Sequence, residues 1–174
     1  MSDPHLPSPD LIPDRAIQPH AFATVDESWF EYPVRVNPHH TDYGGIVWHG
    51  SYLTWMEEAR VECLRSIGVE FSDLVAMGCD LPVVEVGIRY HRSLLMGEMA
   101  IVQTRINDIE GVRIHWDYRI QSPPPAAADA VPITYVTARV TLVAVDRERG
   151  KILRRLPPNV EDALTKIARL HRRP

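Results

Sequence analysis

Residues 51–67 place Tyr52, Trp55, Met56, Ala59, Cys63 and Ile67 at three- and four-residue steps, so these side chains share one face of a helix. Thr54, Glu58, Val61 and Arg65 fall on the opposite, mostly polar side, and Leu53, Glu57, Arg60 and Leu64 run along one flank. Gly68 follows at a C-cap position. At roughly 1.5 Å per residue the helix is about 25 Å long, enough to span a small domain. Around it the pattern changes to alternation. A strand is expected ahead of the helix at 29–37, where Phe30, Tyr32, Val34 and Val36 alternate with more polar neighbours. Further strands are expected at 81–91, 97–108, 111–121 and 133–146, punctuated by Gly97, Glu110-Gly111 and the Pro/Ala stretch at 123–128. One long helix followed by a meander of long strands is an α+β pattern.

The ends and the bulk properties frame this core. Residues 1–26 carry five prolines by position 19 and little apolar patterning, which reads as a flexible arm. Residues 27–156 read as the globular domain, and residues 157–174 as a terminal helix over 159–171 with a basic tail. A short helical turn is expected at 72–77, a charged turn at 146–150, and a short extension at 152–156. The 174 residues suit one domain with an ample core. The formal charge of −4 excludes a whole-chain polyanion-binding signature, so no nucleic acid partner is expected. Residues 151–174 hold seven Lys/Arg against two acids, a solvated basic helix face by default. Cys63 and Cys79 have no metal-ligand spacing and suggest no disulfide framework. No apolar run approaches the roughly 20 residues of a membrane span. The N-terminus also lacks a signal-peptide layout, so a cytoplasmic location is expected.

The chemistry concentrates just ahead of the helix. Asp42 sits in the loop Thr41-Asp42-Tyr43-Gly44-Gly45 that runs straight into the helix start. A helix start leaves unpaired N–H groups at a positive dipole end. Beside a carboxylate, that equips a site to attack a carbonyl and hold the oxyanion that forms. The plain structural reading is that an aspartate before glycines builds a turn through its own side chain. His49 is able to orient water, bond Asp42, or cap the helix. His39, His40, Asp42 and His49 also permit a metal reading, but their spacing matches no standard zinc pattern. Adjacent histidines at a strand end would also point to opposite faces. Glu57, three residues before Arg60, reads as half of an intrahelical ion pair. Tyr52 and Trp55 read as core, whereas Trp48, in the loop, is placed to meet a substrate.

The run Thr-Asp-x-Gly-Gly-x-Val-x-His, then Ser-Tyr-Leu and Glu-x-Ala-Arg, resembles the hotdog-fold acyl-CoA thioesterases of the 4-hydroxybenzoyl-CoA and Tol–Pal-associated type. The likeness spans about residues 30–155. It implies a curved antiparallel sheet wrapped around the 51–67 helix, with active sites at a subunit interface of a homodimer or a homotetramer. It also implies acyl-CoA hydrolysis without a cofactor, with Asp42 as the catalytic carboxylate and the helix-start N–H near His49 polarising the thioester carbonyl. Because some such enzymes take their acid from this helix, Glu57 is also a candidate site residue.

Some relatives carry a tyrosine where this chain has Pro38, so that hydroxyl is absent or replaced by His39, His40 or Tyr43. Arg89, His91 and Arg92 fall in a stretch that resembles the family's Tyr-x-x-(small or Pro)-x-x-x-Gly-Glu segment. An arginine there reads equally as a holder of a coenzyme A phosphate by charge-assisted bonds, with Arg92 the chosen candidate, or as a plain surface cation. Gly44, Gly45 and Gly50 leave room for a bulky acyl group but equally serve the turn, and Trp48 offers a flat wall that favours an aromatic group over a medium-length aliphatic one. Two alternatives stand beside hydrolysis. One is a hydratase or dehydratase of the same fold, whose His-Pro-Gly motif this chain lacks. The other is a non-catalytic acyl-binding or scaffold module, against which the retained Asp42 and His49 argue.

Overall fold

A computed structural model describes residues 29–125 and 131–170. The expected arm at 1–26, the end of the Pro/Ala stretch and the last four residues lie outside the described residues. The main sheet has five antiparallel strands: β1 (Phe30–Arg35), β3 (Val83–Tyr90), β4 (Met99–Glu110), β5 (Arg113–Gln121) and β6 (Thr134–Val143), in the order β1-β4-β5-β6-β3. The long helix α1 (His49–Ser66) packs on β4 and β1. This is the α+β hotdog arrangement that the motif implies.

Strand alternation decides the faces. In β5, Ile114, Trp116, Tyr118 and Ile120 are buried against the helix side, while His115, Asp117 and Arg119 between them point to the outer face. The helix contributes Tyr52, Trp55, Met56, Ala59 and Cys63 to the same core, the stripe its spacing predicts. Burial pushes the Cys63 thiol up to about 12, so it acts as a small apolar group. The helix ends in a Schellman motif. Gly68, at φ 79°, donates its N–H to Arg65 O, and Val69 donates to Leu64 O.

Four differences from the sequence reading have physical causes. Leu64, expected on a flank, is buried, because the terminal helix α3 (Pro158–Leu170), which follows α1 and the short α2 (Phe71–Ala76), lays Val160, Leu164 and Ile167 over the core beside α1. Each such buried aliphatic contributes about 1.5–3 kcal/mol relative to exposure. The strand expected at 133–146 breaks at the buried Ala144, and its end, β7 (Val145–Asp146), joins a separate small sheet. That sheet pairs β7 with β2 (Cys79–Asp80) and β8 (Lys151–Ile152), two-residue strands too short to show a period. The strand expected from 81 starts at Val83, after Pro82, which has no N–H to give a ladder. Finally, His39 and His40 belong to a 3-10 turn (Pro38–His40) rather than a strand end, and their rings meet edge to face at 4.0 Å.

Candidate active site

The loop between that turn and α1 folds back on itself. Thr41 bridges Val47, and Asp42 donates its N–H to Ile46 O at 2.8 Å. The Asp42 carboxylate then accepts the N–H of Gly44 at 2.8 Å and that of Ile46 at 3.2 Å, both through Oδ1. The turn-building reading of Asp42 is therefore realised by one oxygen. The other oxygen has no bond within the loop, and the residue is exposed to solvent.

His40 ties the loop to the helix start. Its carbonyl accepts the Trp48 N–H at 2.9 Å and the Ser51 hydroxyl at 2.8 Å. Its Nδ1 accepts the Asn37 N–H at 3.0 Å, and its ring meets Trp55 edge to face. Ser51 thus positions the loop, a role its place in the first helical turn did not announce. Trp48 is the N-cap residue of α1 and supplies no side-chain cap. The first N–H groups of a helix have no intrahelical acceptor. An acceptor presented there by a bound molecule would meet donors at the positive end of the dipole.

Burial, reinforced by neighbouring His39 and opposed by Glu58, lowers the His40 pKa below its ordinary 6.5. A depressed folded-state value favours the neutral ring, which the Nδ1 acceptor role also requires. The unfolded chain therefore binds the proton more readily between the two values. The stability due to neutral His40 is fully present above pH 6.5 and is lost as pH falls through the lowered folded value. His40→Asn should flatten that part of the profile. Urea unfolding at pH 7.5 and at successive values below 6.5, on both proteins, reads it, and identical slopes would exclude His40 as the source.

A cavity of about 320 Å³ opens beside the helix start, lined by Ile46, Val47, His49, Tyr52, Tyr90, His91, Arg92 and Ser93. It unites two of the expected site residues, His49 and Arg92, and Asp42 is bonded to Ile46 in its wall. Tyr52 packs on Tyr90 at 5.6 Å, and burial pushes its hydroxyl up to about 12, so it stays protonated. Tyr90 lies in the Arg89–Arg92 stretch that the resemblance singles out in the sequence.

Tyr43, Gly45 and Trp48 sit in the loop itself. Tyr43 is fully solvent-exposed, and Trp48 remains half exposed with its ring laid over Gly50. A Cβ at Gly50 would stand 1.9 Å from the Trp48 ring, so this glycine is what lets the indole lie there. Glu57 lines a different cavity of about 220 Å³, with Arg60, Val61, Leu64, Val83 and Trp116. Its expected partner is corrected as well. Arg60 turns inward to donate to the buried Tyr118 hydroxyl at 2.9 Å, and no ion pair with Glu57 forms among the described residues.

Comparison with known proteins converges on one family. The model of the thioesterase-like superfamily matches residues 36–166. A Synechocystis protein bearing an esterase name is 48% identical over 175 residues, covering 96% of this chain and 99% of its own length. The acyl-CoA thioester hydrolase of Escherichia coli O157:H7 is 33% identical over 96 residues, 55% of this chain and 72% of its own. Among solved structures, a 1,4-dihydroxy-2-naphthoyl-CoA thioesterase from Synechocystis superposes with a TM-score of 0.68 at 23% identity, covering 80% of this chain and 97% of that one.

Proposed function

The chain belongs to the thioesterase-like superfamily, and from that membership we propose that it hydrolyses acyl-CoA thioesters to a free acid and coenzyme A, with Asp42 as the reacting carboxylate. The observation that carries this reading is the pairing of an anchored, half-unused carboxylate with an uncapped helix start beside one cavity. In the general-base route Asp42 takes a proton from water as the oxygen adds to the thioester carbonyl. In the nucleophilic route its oxygen adds directly, coenzyme A leaves as thiolate, and water then opens the mixed anhydride. Either way the carbonyl oxygen gathers negative charge. N–H groups at His49 and Gly50 supply donors of the oxyanion-hole kind. His49, in the cavity wall, orients water or substrate, and Arg92 offers a cation to a coenzyme A phosphate.

The test is release of free thiol over a panel of short, long and aromatic acyl-CoAs. Turnover with at least one class is expected, and inertness across all of them would favour an acyl-binding module instead. Trp48 supports a preference for aromatic acyl groups. Ring stacking adds about 0.5–1.5 kcal/mol beyond burial, roughly a tenfold bias at most. Trp48→Ala should therefore lower turnover of benzoyl-type thioesters more than that of hexanoyl-type ones. An equal loss on both would remove the stacking argument.

Assembly enters the same reading. Strand β3 pairs with β6 on one side, while Val83, Val84, Val86 and Tyr90 are between 43% and 50% exposed on this edge strand. A long apolar edge invites pairing, and a two-fold axis closes it. In an antiparallel pair of β3 edges, the Val83 end of one strand meets the Tyr90 end of the other. The cavity lined by Glu57 and Val83 then abuts the other protomer's cavity lined by His49 and Tyr90. Light scattering at micromolar concentration should give the mass of two or four chains, and a monomer would refute the assembly.

A further inference from the structure

The outer face of the sheet, turned away from α1, carries a second constellation that the hydrolytic reading leaves unused. Cross-strand register lines up two rows there. One runs Arg105, Asp117, Arg139 and Gly87 across β4, β5, β6 and β3. The next runs Gln103, Arg119, Thr137 and Arg89 over the same strands. All of these but Gln103 line a shallow, open cavity of about 530 Å³, within the range of about 300–1,000 Å³ usual for small-molecule sites. The glycine leaves its floor open, since nothing stands within 4 Å of where a Cβ would be.

Four guanidinium groups line this cavity, and Asp117 is the one acid among the lining residues. Asp117 is already engaged, accepting from Arg139 Nε at 2.8 Å. Glu31, at the far end of the second row, is taken by Gln103 at 2.8 Å. Among the described residues, Arg105 and Arg119 form no ion pair with a carboxylate. Both instead rest on the Trp29 ring, at 4.2 and 4.9 Å from its centroid, and Arg105 Nε is buried without an acceptor. Like charges gathered on one sheet face repel one another. Here they are gathered in a chain whose net charge is −4, so general basicity does not account for them. Trp29 holds two of the guanidinium planes in place. A fixed, weakly hydrated guanidinium suits bidentate recognition of phosphate oxygens.

We propose that this outer-face cavity, lined by Arg89, Arg105, Arg119 and Arg139, binds a phosphate-bearing anion carrying two or more negative charges. The inference does not depend on the hydrolytic reading. Two sources share the chemistry: the phosphates of an acyl carrier, and a free phosphate or nucleotide acting away from the reacting bond.

The test titrates inorganic pyrophosphate into the full chain by calorimetry at constant ionic strength, with chloride alone as control. Saturable binding is expected for the wild type. Arg105→Gln/Arg119→Gln should weaken it by at least about tenfold, the factor that 1.4 kcal/mol represents. Arg89→Gln, at the exposed rim and away from Trp29, should weaken it by a smaller factor and keeps the question answerable should the double variant misfold. Steady-state kinetics on an acyl-CoA then separate the sources. A raised KM in the single variant Arg119→Gln, with kcat unchanged, assigns the site to the carrier's phosphates. An unchanged KM alongside weakened pyrophosphate binding assigns it to a free anion. Absence of pyrophosphate binding to the wild type, or equal binding by every variant, overturns the proposal. A negative result with no effect on thiol release would leave the hydrolase reading untouched.

Discussion

Asp42→Asn should lower acyl-CoA turnover by about 10²–10⁴-fold while leaving the fold in place. The separation of the two effects follows from the loop. Asp42 Oδ1 accepts from Gly44 and Ile46, and the amide oxygen of asparagine accepts the same two bonds. The second position is what changes. An amide nitrogen there neither takes a proton from water nor adds to a carbonyl. Asp42→Ala would confound the comparison, because it also strands two loop N–H groups. The measurement is kcat for thiol release alongside a thermal melt. A melt unchanged with turnover within about threefold of wild type would take Asp42 out of the chemistry. Rapid-quench single turnover on the wild type then distinguishes the two routes. Thiol appearing ahead of free acid marks the mixed anhydride, and simultaneous release marks the general base.

The parts of this architecture that sequence made legible are those with a repeating period. The stripe Tyr52, Trp55, Met56, Ala59 and Cys63 repeats often enough to define a buried face, and it is buried. The helix start was harder. It lies at His49, two residues ahead of the expected 51, because the N-cap position holds Trp48 rather than a hydroxyl or carboxamide that would announce it. The same absence makes the helix start chemically interesting, since no side chain of its own occupies those donors. Gly68, by contrast, announced the other end, and its left-handed conformation is what the Schellman turn demands.

What stayed hidden depends on contacts between distant segments. Nothing local to Arg60 says that its guanidinium will turn inward to Tyr118, 58 residues away, instead of pairing with Glu57. The rows of arginine on the outer face emerge only once the registers of β3, β4, β5 and β6 are fixed. Ser51 reads as an ordinary helix residue until the loop returns the His40 carbonyl to it. The motif around Asp42 is legible in the sequence, but the sharing of its Oδ1 between the N–H groups of Gly44 and Ile46 is a property of the folded loop.

Trp55→Ala should destabilise the protein by about 3–5 kcal/mol, the usual range for deleting a buried tryptophan or phenylalanine side chain. Whole domains hold only about 5–15 kcal/mol, so the variant sits near the edge of folding. Trp55 is 2% exposed, and its ring meets His40 at 5.0 Å and Tyr52 at 5.5 Å, both edge to face. Those two contacts place it under the loop and behind the cavity at once. His40 carries the carbonyl that holds Trp48 and Ser51, and Tyr52 lines the cavity. Removing the indole therefore should loosen the seat of Asp42 as well as the core. Turnover of the folded fraction, measured well below the melting transition, should fall too, by less than in Asp42→Asn. Trp55→Phe keeps an aromatic edge for both neighbours and should recover most of the stability and turnover. Urea midpoints for the three proteins read the first effect, and kcat on the folded protein reads the second. If Trp55→Ala unfolds at the wild-type midpoint, Trp55 does not anchor the core. If it is destabilised as expected but turns over at the wild-type rate, the core does not hold the loop through His40.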